Sequence, residues 1–409
     1  AATLVVQLGG CASAPSAESA SSEPGSSWTV ANYEAGWYEV DADAPVDDAF
    51  LEESFEGDVA TGGLGDTAAV RVSLFPDFEI APVDFDAAGT GGTNLTQISF
   101  AAEGADFDPD VSRDGEWMVF ASTQHHQQPD LYRKSVDGRV VTQLTSDPGQ
   151  DLMPEISPDG RRVAFASDRH GNWDVFVMSA DGGPVTQVTF DAAQELHPTW
   201  SPDGDKLCYC RYNDRTGGWE LWTLAIDKPG TPSFVCEGMF PRWSPEGDDD
   251  RVLFQRSRKR GDRLYGVWTI DIVDGEGVNP TEIVAAGDAA IMHPTWSPDG
   301  KRIAYTVVSD PSVAVDGMPV ESDIWTIGHD GTGRIALTTG GYRNMRPEWS
   351  RDGRVFFMSN RGGQDVIWAA SGGIPVVGGA RFAEAEEETD DHGSSSDSPS
   401  TIAGVSDTD

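Results

Sequence analysis

His197-Pro198-Thr199-Trp200-Ser201-Pro202-Asp203-Gly204 returns almost unchanged as His293-Pro294-Thr295-Trp296-Ser297-Pro298-Asp299-Gly300. Looser copies stand at Asp108-Pro109-Asp110-Val111-Ser112-Arg113-Asp114-Gly115, Met153-Pro154-Glu155-Ile156-Ser157-Pro158-Asp159-Gly160, Phe240-Pro241-Arg242-Trp243-Ser244-Pro245-Glu246-Gly247 and Arg346-Pro347-Glu348-Trp349-Ser350-Arg351-Asp352-Gly353. The leading prolines, at 109, 154, 198, 241, 294 and 347, lie 45, 44, 43, 53 and 53 residues apart. A period of that length marks a stacked supersecondary unit, and four short strands fill it.

The physics of each unit is the same. A proline is expected to open a short strand, where its missing N–H costs no ladder bond. Ser-Pro-Asp-Gly makes a tight turn, because Pro presets φ and Gly accepts a backbone form that other residues resist. An apolar strand follows, as in Arg162-Val163-Ala164-Phe165-Ala166 or Arg302-Ile303-Ala304-Tyr305, then an aromatic one such as Trp173-Asp174-Val175-Phe176-Val177. Asp181-Gly182-Gly183 turns the chain into an outer strand, Val185–Thr189. Apolar residues alternate at period two and nothing keeps a helical spacing. The fold class is therefore all-β: a β-propeller of four-stranded antiparallel blades. Asn94-Leu95-Thr96-Gln97-Ile98-Ser99 mimics the outer strand Val185–Thr189, so six blades closed by this N-terminal strand are favoured, with seven as the rival. Val70–Leu74 and Phe78–Phe85 upstream, and Ile374–Phe382 downstream, are the further strand candidates.

These units resemble the repeats of the TolB-like propeller family (PD40 repeats) over roughly residues 70–382. That resemblance implies a rigid binding propeller of the bacterial envelope, since TolB is a periplasmic six-bladed propeller that binds a lipoprotein. TolB also carries an α/β domain before its propeller. Residues 28–69 are too short and too rich in Gly and Asp to supply one, so a place in the Tol system does not follow.

Both ends read differently from the middle. Residues 1–27 are taken as a signal-peptide remnant and a tether. The run ending Leu8-Gly9-Gly10-Cys11 resembles a bacterial lipoprotein signal, with Cys11 as the lipidated residue. On this reading the chain starts inside its signal. Ala12, where an inner-membrane lipoprotein carries Asp, points to the outer membrane or cell surface. Residues 28–69 form an acidic lead-in and 383–409 an acidic tail with the composition of disorder.

The formal net charge of −40 disfavours nucleic acid, whose phosphates require Lys and Arg, and adsorption to anionic membranes. Membrane attachment is thus expected only through the lipid, and the protein is expected to be a monomer. Four Cys in 409 residues are no disulfide framework. Cys208 and Cys210 point to one face of a strand as apolar fillers, with a bridge from either to Cys236 left open.

No Gly-x-Ser-x-Gly elbow, phosphate loop, dinucleotide fingerprint or His-x-x-x-His pair occurs. What remains is positional. The residue before each repeat proline falls at one mouth of the central channel, so Asp108, His197, His293 and Arg346, interleaved with Met153 and Phe240, form the candidate binding site. The favoured reading is a scaffold that binds a protein partner and needs no cofactor. The alternative is a metal-dependent carbohydrate lyase or glycan-processing enzyme, which would hold a divalent ion on the channel histidines. Two stretches break the repeat length: the basic run Arg256–Arg263 and the insertion Val308–Asp323. His125-His126-Gln127-Gln128 reads as a polar hairpin loop.

Overall fold

A computed structural model of the chain describes residues 94–371, except 102, 229, 246–249, 258–264, 287–288, 311–313, 316–317. Cys11, the segments 1–27, 28–69 and 383–409, and the strand candidates at 70–74, 78–85 and 374–382 lie outside the described residues, as does most of the basic run.

Six four-stranded antiparallel sheets follow one another along the chain, and no helix occurs among the described residues. The second blade shows the plan: inner strand Asp151–Ile156, then Arg162–Ser167, Asp174–Ser179 and the outer strand Val185–Gln187. The other inner strands are Asp106–Val111, Glu195–Trp200, Met239–Trp243, Ala290–Trp296 and Asn344–Trp349. The ring closes as the sequence predicts. Asn94–Gln97 adds as the outer strand of the sixth blade, with Asn94 opposite Ser371 and Gln97 opposite Trp368. Val355–Ser359 and Val366–Ser371 are the middle strands of that blade.

The Ser-x-Asp-Gly turn is built from its own side chains. The Ser157 hydroxyl donates to Asp159 Oδ1 at 2.6 Å and accepts the Arg162 N–H at 2.9 Å, while Gly160 takes φ +70°. Ser112, Ser201 and Ser297 repeat the bond to Asp114, Asp203 and Asp299.

The prolines do not open their strands as expected. Each described inner strand begins earlier and carries its proline at a bulge. In the second blade Leu152 faces Ala166 and Glu155 faces Ala164, so one extra residue is inserted between them. A bulge is where a missing N–H is tolerated within a sheet. The residue before each proline is forced to positive φ: 51° at Asp108, Met153 and Phe240, 52° at His197, 49° at His293 and 55° at Arg346. That backbone form costs a non-glycine residue about 1–2 kcal/mol. Its recurrence in all six blades shows a built feature, which aims both the residue before and the residue after each proline into the channel.

Four of the chain's 13 tryptophans pack at blade junctions. Trp200 packs with Ala164 and Val175 of the preceding blade, Trp243 with Cys208 and Cys210, Trp296 with Leu253 and Val267, and Trp349 with Ala304 and Ile324. Val111 and Ile156 take the same wedge position in the first two blades. Truncating such a buried indole costs about 3–5 kcal/mol. Cys208, Cys210 and Cys236 are free thiols, so the bridge left open by the sequence is not formed. Burial raises all three thiols, which suits fillers rather than nucleophiles.

Candidate functional site: the two mouths of the channel

An antiparallel four-stranded blade puts two kinds of connection at the end where its inner strand begins. One joins the outer strand to the next blade, and the other joins the second and third strands. The Ser-x-Asp-Gly turns lie at the opposite end. The channel therefore has two chemically distinct mouths, each lined by one residue per blade.

At the first mouth the structure brings together all four expected residues, with Met153 and Phe240 between them, around a chamber of about 50 Å³. That is room for one or two waters. The residues are not an open polar rim. Asp108, His293 and Arg346 are buried, and the Arg346 guanidinium is ion-paired with Asp108. Asp108 also accepts the Met153 N–H at 3.1 Å. The Phe240 ring stands between the two imidazoles, 4.5 Å from His197 and 4.4 Å from His293 by ring centroids. The histidines therefore do not converge on a common point. Burial, reinforced by the positive charge of Arg346, holds both well below the usual imidazole range, so they are neutral at neutral pH. Among the described residues no group of three or more His, Cys, Asp or Glu is placed to hold a metal ion.

The face around this mouth carries exposed aromatic side chains. Phe100 and Phe190 are 63% and 65% exposed and Tyr342 is 39% exposed, each in a connection from an outer strand to the next inner strand. The insertion in the fifth blade rises from the same face and forms a small hairpin, Ala314–Val315 with Met318–Pro319. Met318 is buried among Phe107, Leu152, Leu196 and Met345, which seats the insertion on the inner strands. His126 reaches Asp130 at 2.8 Å, and His125 packs against Tyr132, so that pair of histidines does not act jointly.

The second mouth was not read from the sequence. It is lined by the residue after each proline: Asp110, Glu155, Thr199, Arg242, Thr295 and Glu348. Arg242 bonds Glu155 at 2.5 Å and Glu348 at 3.4 Å, joining alternate blades across the channel. Arg242 also lines the first chamber, so its side chain is the floor between the two mouths. Side chains stitch neighbouring blades around this ring: Asp110 accepts the Ile156 N–H at 2.7 Å, Glu155 the Trp200 N–H at 3.0 Å and Thr199 the Trp243 N–H at 3.1 Å. The usable signal was an arginine one step past a proline where three other repeats carry Asp or Glu and two carry Thr.

Comparison with known proteins agrees with this architecture. The TolB beta propeller domain family (PD40) matches residues 92–269. A TolB homolog of Chlorobium luteolum is 39% identical over 75 residues, 18% of this chain and 17% of that protein. An uncharacterized protein of Agrobacterium fabrum is 36% identical over 203 residues, 47% of this chain and 52% of that protein. The chain thus spans about half or less of the length of these curated relatives. A solved structure assigned to TolB from Agrobacterium tumefaciens superposes with a TM-score of 0.53 at 20% identity, covering 67% of this chain and 95% of that one, which shows the fold. The protein is a TolB-like six-bladed β-propeller.

Proposed function

We propose that this propeller is a binding scaffold of the cell envelope and docks a protein partner on the face around the first mouth. One observation carries the reading: three exposed aromatic side chains, Phe100, Phe190 and Tyr342, ring a face whose central chamber holds only a water or two. Exposed aromatics rimmed by polar loops are a feature of protein contacts, while a small-molecule enzyme needs a pocket of several hundred Å³. The TolB likeness supports a protein partner and a periplasmic setting. Lipid attachment at Cys11 would hold the domain at the membrane. Asp108, His197, His293 and Arg346 then act from below, as the rigid floor on which the docking face rests. The lyase alternative is not adopted, because Phe240 keeps His197 and His293 from meeting on one ion.

The test is capture of envelope proteins on the full chain, with and without chelator, beside a Phe100→Ser/Phe190→Ser variant of unchanged melting temperature. One protein retained in stoichiometric amount under both conditions, and lost in the variant, is the expected result. Retention of nothing, or only of a chelator-sensitive glycan, overturns the reading.

A further inference from the structure

The second mouth opens into a cavity of about 160 Å³, some three times the room of the first chamber and on the opposite face from the docking surface. Its floor holds more negative than positive charge: Asp110, Glu155 and Glu348 share the one guanidinium of Arg242. Glu155 is satisfied by Arg242, Thr199 and Trp200, and Glu348 by Arg242 and Thr295. Asp110 differs. It is 94% buried (6% exposed), one of its oxygens accepts the Ile156 N–H at 2.7 Å, and the other has no hydrogen-bond partner among the described residues. Asp110 lines the cavity, so a donor carried by a ligand can reach its carboxylate there.

The walls and rim specify the rest of such a ligand. Trp200, Trp243, Trp296 and Trp349 line the cavity above the charged floor, an apolar surround for a carbon chain. At the rim, four blades present Pro158, Pro202, Pro245 and Pro298. The first and sixth blades, neighbours across the ring closure, present Arg113 and Arg351 instead, both exposed. The pocket is thus bipolar: anionic at the bottom, apolar in the middle and cationic on one side of the rim.

We propose that this cavity is a binding site for a small zwitterion, a primary amine with an anionic group at its other end. The ammonium is held by Asp110 and Glu348, and the anion by Arg113 and Arg351. An ammonium on the floor supplies the second positive charge that three carboxylates lack. Burial, and then the charges of Glu348 and Glu155, push Asp110 well above the carboxylate range; burial above all takes Glu348 up to about 7. An ammonium beside them offsets both effects. Roughly five waters would fill the space at ~30 Å³ each, which is enough for a chain of four to six carbons.

The test uses the full chain and ω-amino acids of four, five and six carbons, with n-butylammonium and butanoate as single-ended controls. Binding is read by calorimetry and by tryptophan emission, since four indoles wall the site. At least one ω-amino acid should bind saturably and at least fivefold more tightly than n-butylammonium, with butanoate weakest. Asp110→Asn, which keeps an oxygen for the Ile156 N–H, should weaken the amino acid tenfold or more. Arg113→Ala/Arg351→Ala, on exposed side chains, should reduce its affinity to that of the plain amine. Circular dichroism melts establish that each variant folds. Absence of saturable binding by every amine overturns the proposal, and so does butanoate binding as tightly as the amino acids. Neither result bears on partner capture at the opposite face.

Discussion

Arg346 of the sixth blade is ion-paired with Asp108 of the first, a buried contact between residues 238 positions apart in the chain. It lies across the seam where the ring closes, inside the chamber and beneath the docking face. Removing one partner leaves the other charged, buried and unpaired, which costs about 3–5 kcal/mol. Arg346→Met should therefore lower the unfolding free energy by about that amount. Asp108→Asn with Arg346→Met should be less destabilising than the sum of the single changes, because neither residue is then left charged. Denaturant unfolding of the four proteins measures the coupling. Strict additivity would show that the pair holds nothing at the seam.

A second device recurs within the blades around the ring. A hydroxyl just past each of four outer strands accepts an N–H from the start of the third strand of its blade. Thr189 takes Val175 at 2.8 Å, Thr145 takes Leu131 at 2.9 Å, Thr338 takes Ile324 at 2.8 Å and Ser99 takes Ile367 at 3.0 Å. Thr189→Val keeps the shape and leaves a buried N–H without its acceptor, at about 1–3 kcal/mol. Thermal melts should show a clear drop for Thr189→Val and almost none for Thr189→Ser.

Much of this architecture was legible because local chemistry and global topology agree. Ser157, Asp159 and Gly160 close their turn with their own atoms, so the motif alone marks every blade. Asn94–Ser99 copies the outer-strand pattern, Ser99 included, so ring closure could be read from composition. The proline bulge could not, because a proline at a strand start and one at a bulge leave the same residues in the same order. The site was half legible for a related reason. Reading only the residue before each proline found the first ring and missed the second, two residues on, where the bulge also turns side chains inward. The partners of those side chains were hidden as well. Nothing in sequence order announces that Phe240 separates His197 from His293, or that Arg242 bridges Glu155 and Glu348.

The junction of the second and third blades contains a pH-sensitive contact. Asp174 and Glu195 are buried side by side there, and each has one oxygen without a hydrogen-bond partner. At other junctions an arginine neutralises the comparable acid, as Arg169 does for Asp151 at 2.8 Å and Arg343 for Asp365 at 2.6 Å. Burial raises Asp174 to about 6 and Glu195 to about 7. The folded protein thus binds protons that the unfolded chain releases above its ordinary carboxyl range. This contribution to stability is complete below about pH 4 and is lost as pH rises through 6 to 7. Glu195→Gln removes one titrating group while keeping a hydrogen-bonding side chain. Its stability should fall less than that of the wild type between pH 5 and pH 8, by about 1–3 kcal/mol. Parallel pH profiles for the two proteins would refute the assignment.

Arg242 offers the strongest test of the channel floor, because one substitution removes the counter-charge from three carboxyl groups at once. It pairs with Glu155 and Glu348 and acts electrostatically on Asp110, and burial already raises all three acids with the arginine in place. In Arg242→Met the carboxyls keep their burial and their mutual repulsion and lose the attraction that opposed both. Their folded-state affinity for protons must rise further. Raised acids stabilise the fold below their unfolded pKa and destabilise it as pH climbs through the folded value. The variant should therefore lie close to the wild type near pH 5 and fall behind steadily above it. By pH 8 the deficit should reach about 3–5 kcal/mol, the usual cost of an uncompensated buried charge. Adding Glu348→Gln to Arg242→Met should recover part of the loss at pH 8 and little at pH 5. Chemical denaturation at the two pH values decides the matter. A deficit equal at both would mean that Arg242 acts through packing alone.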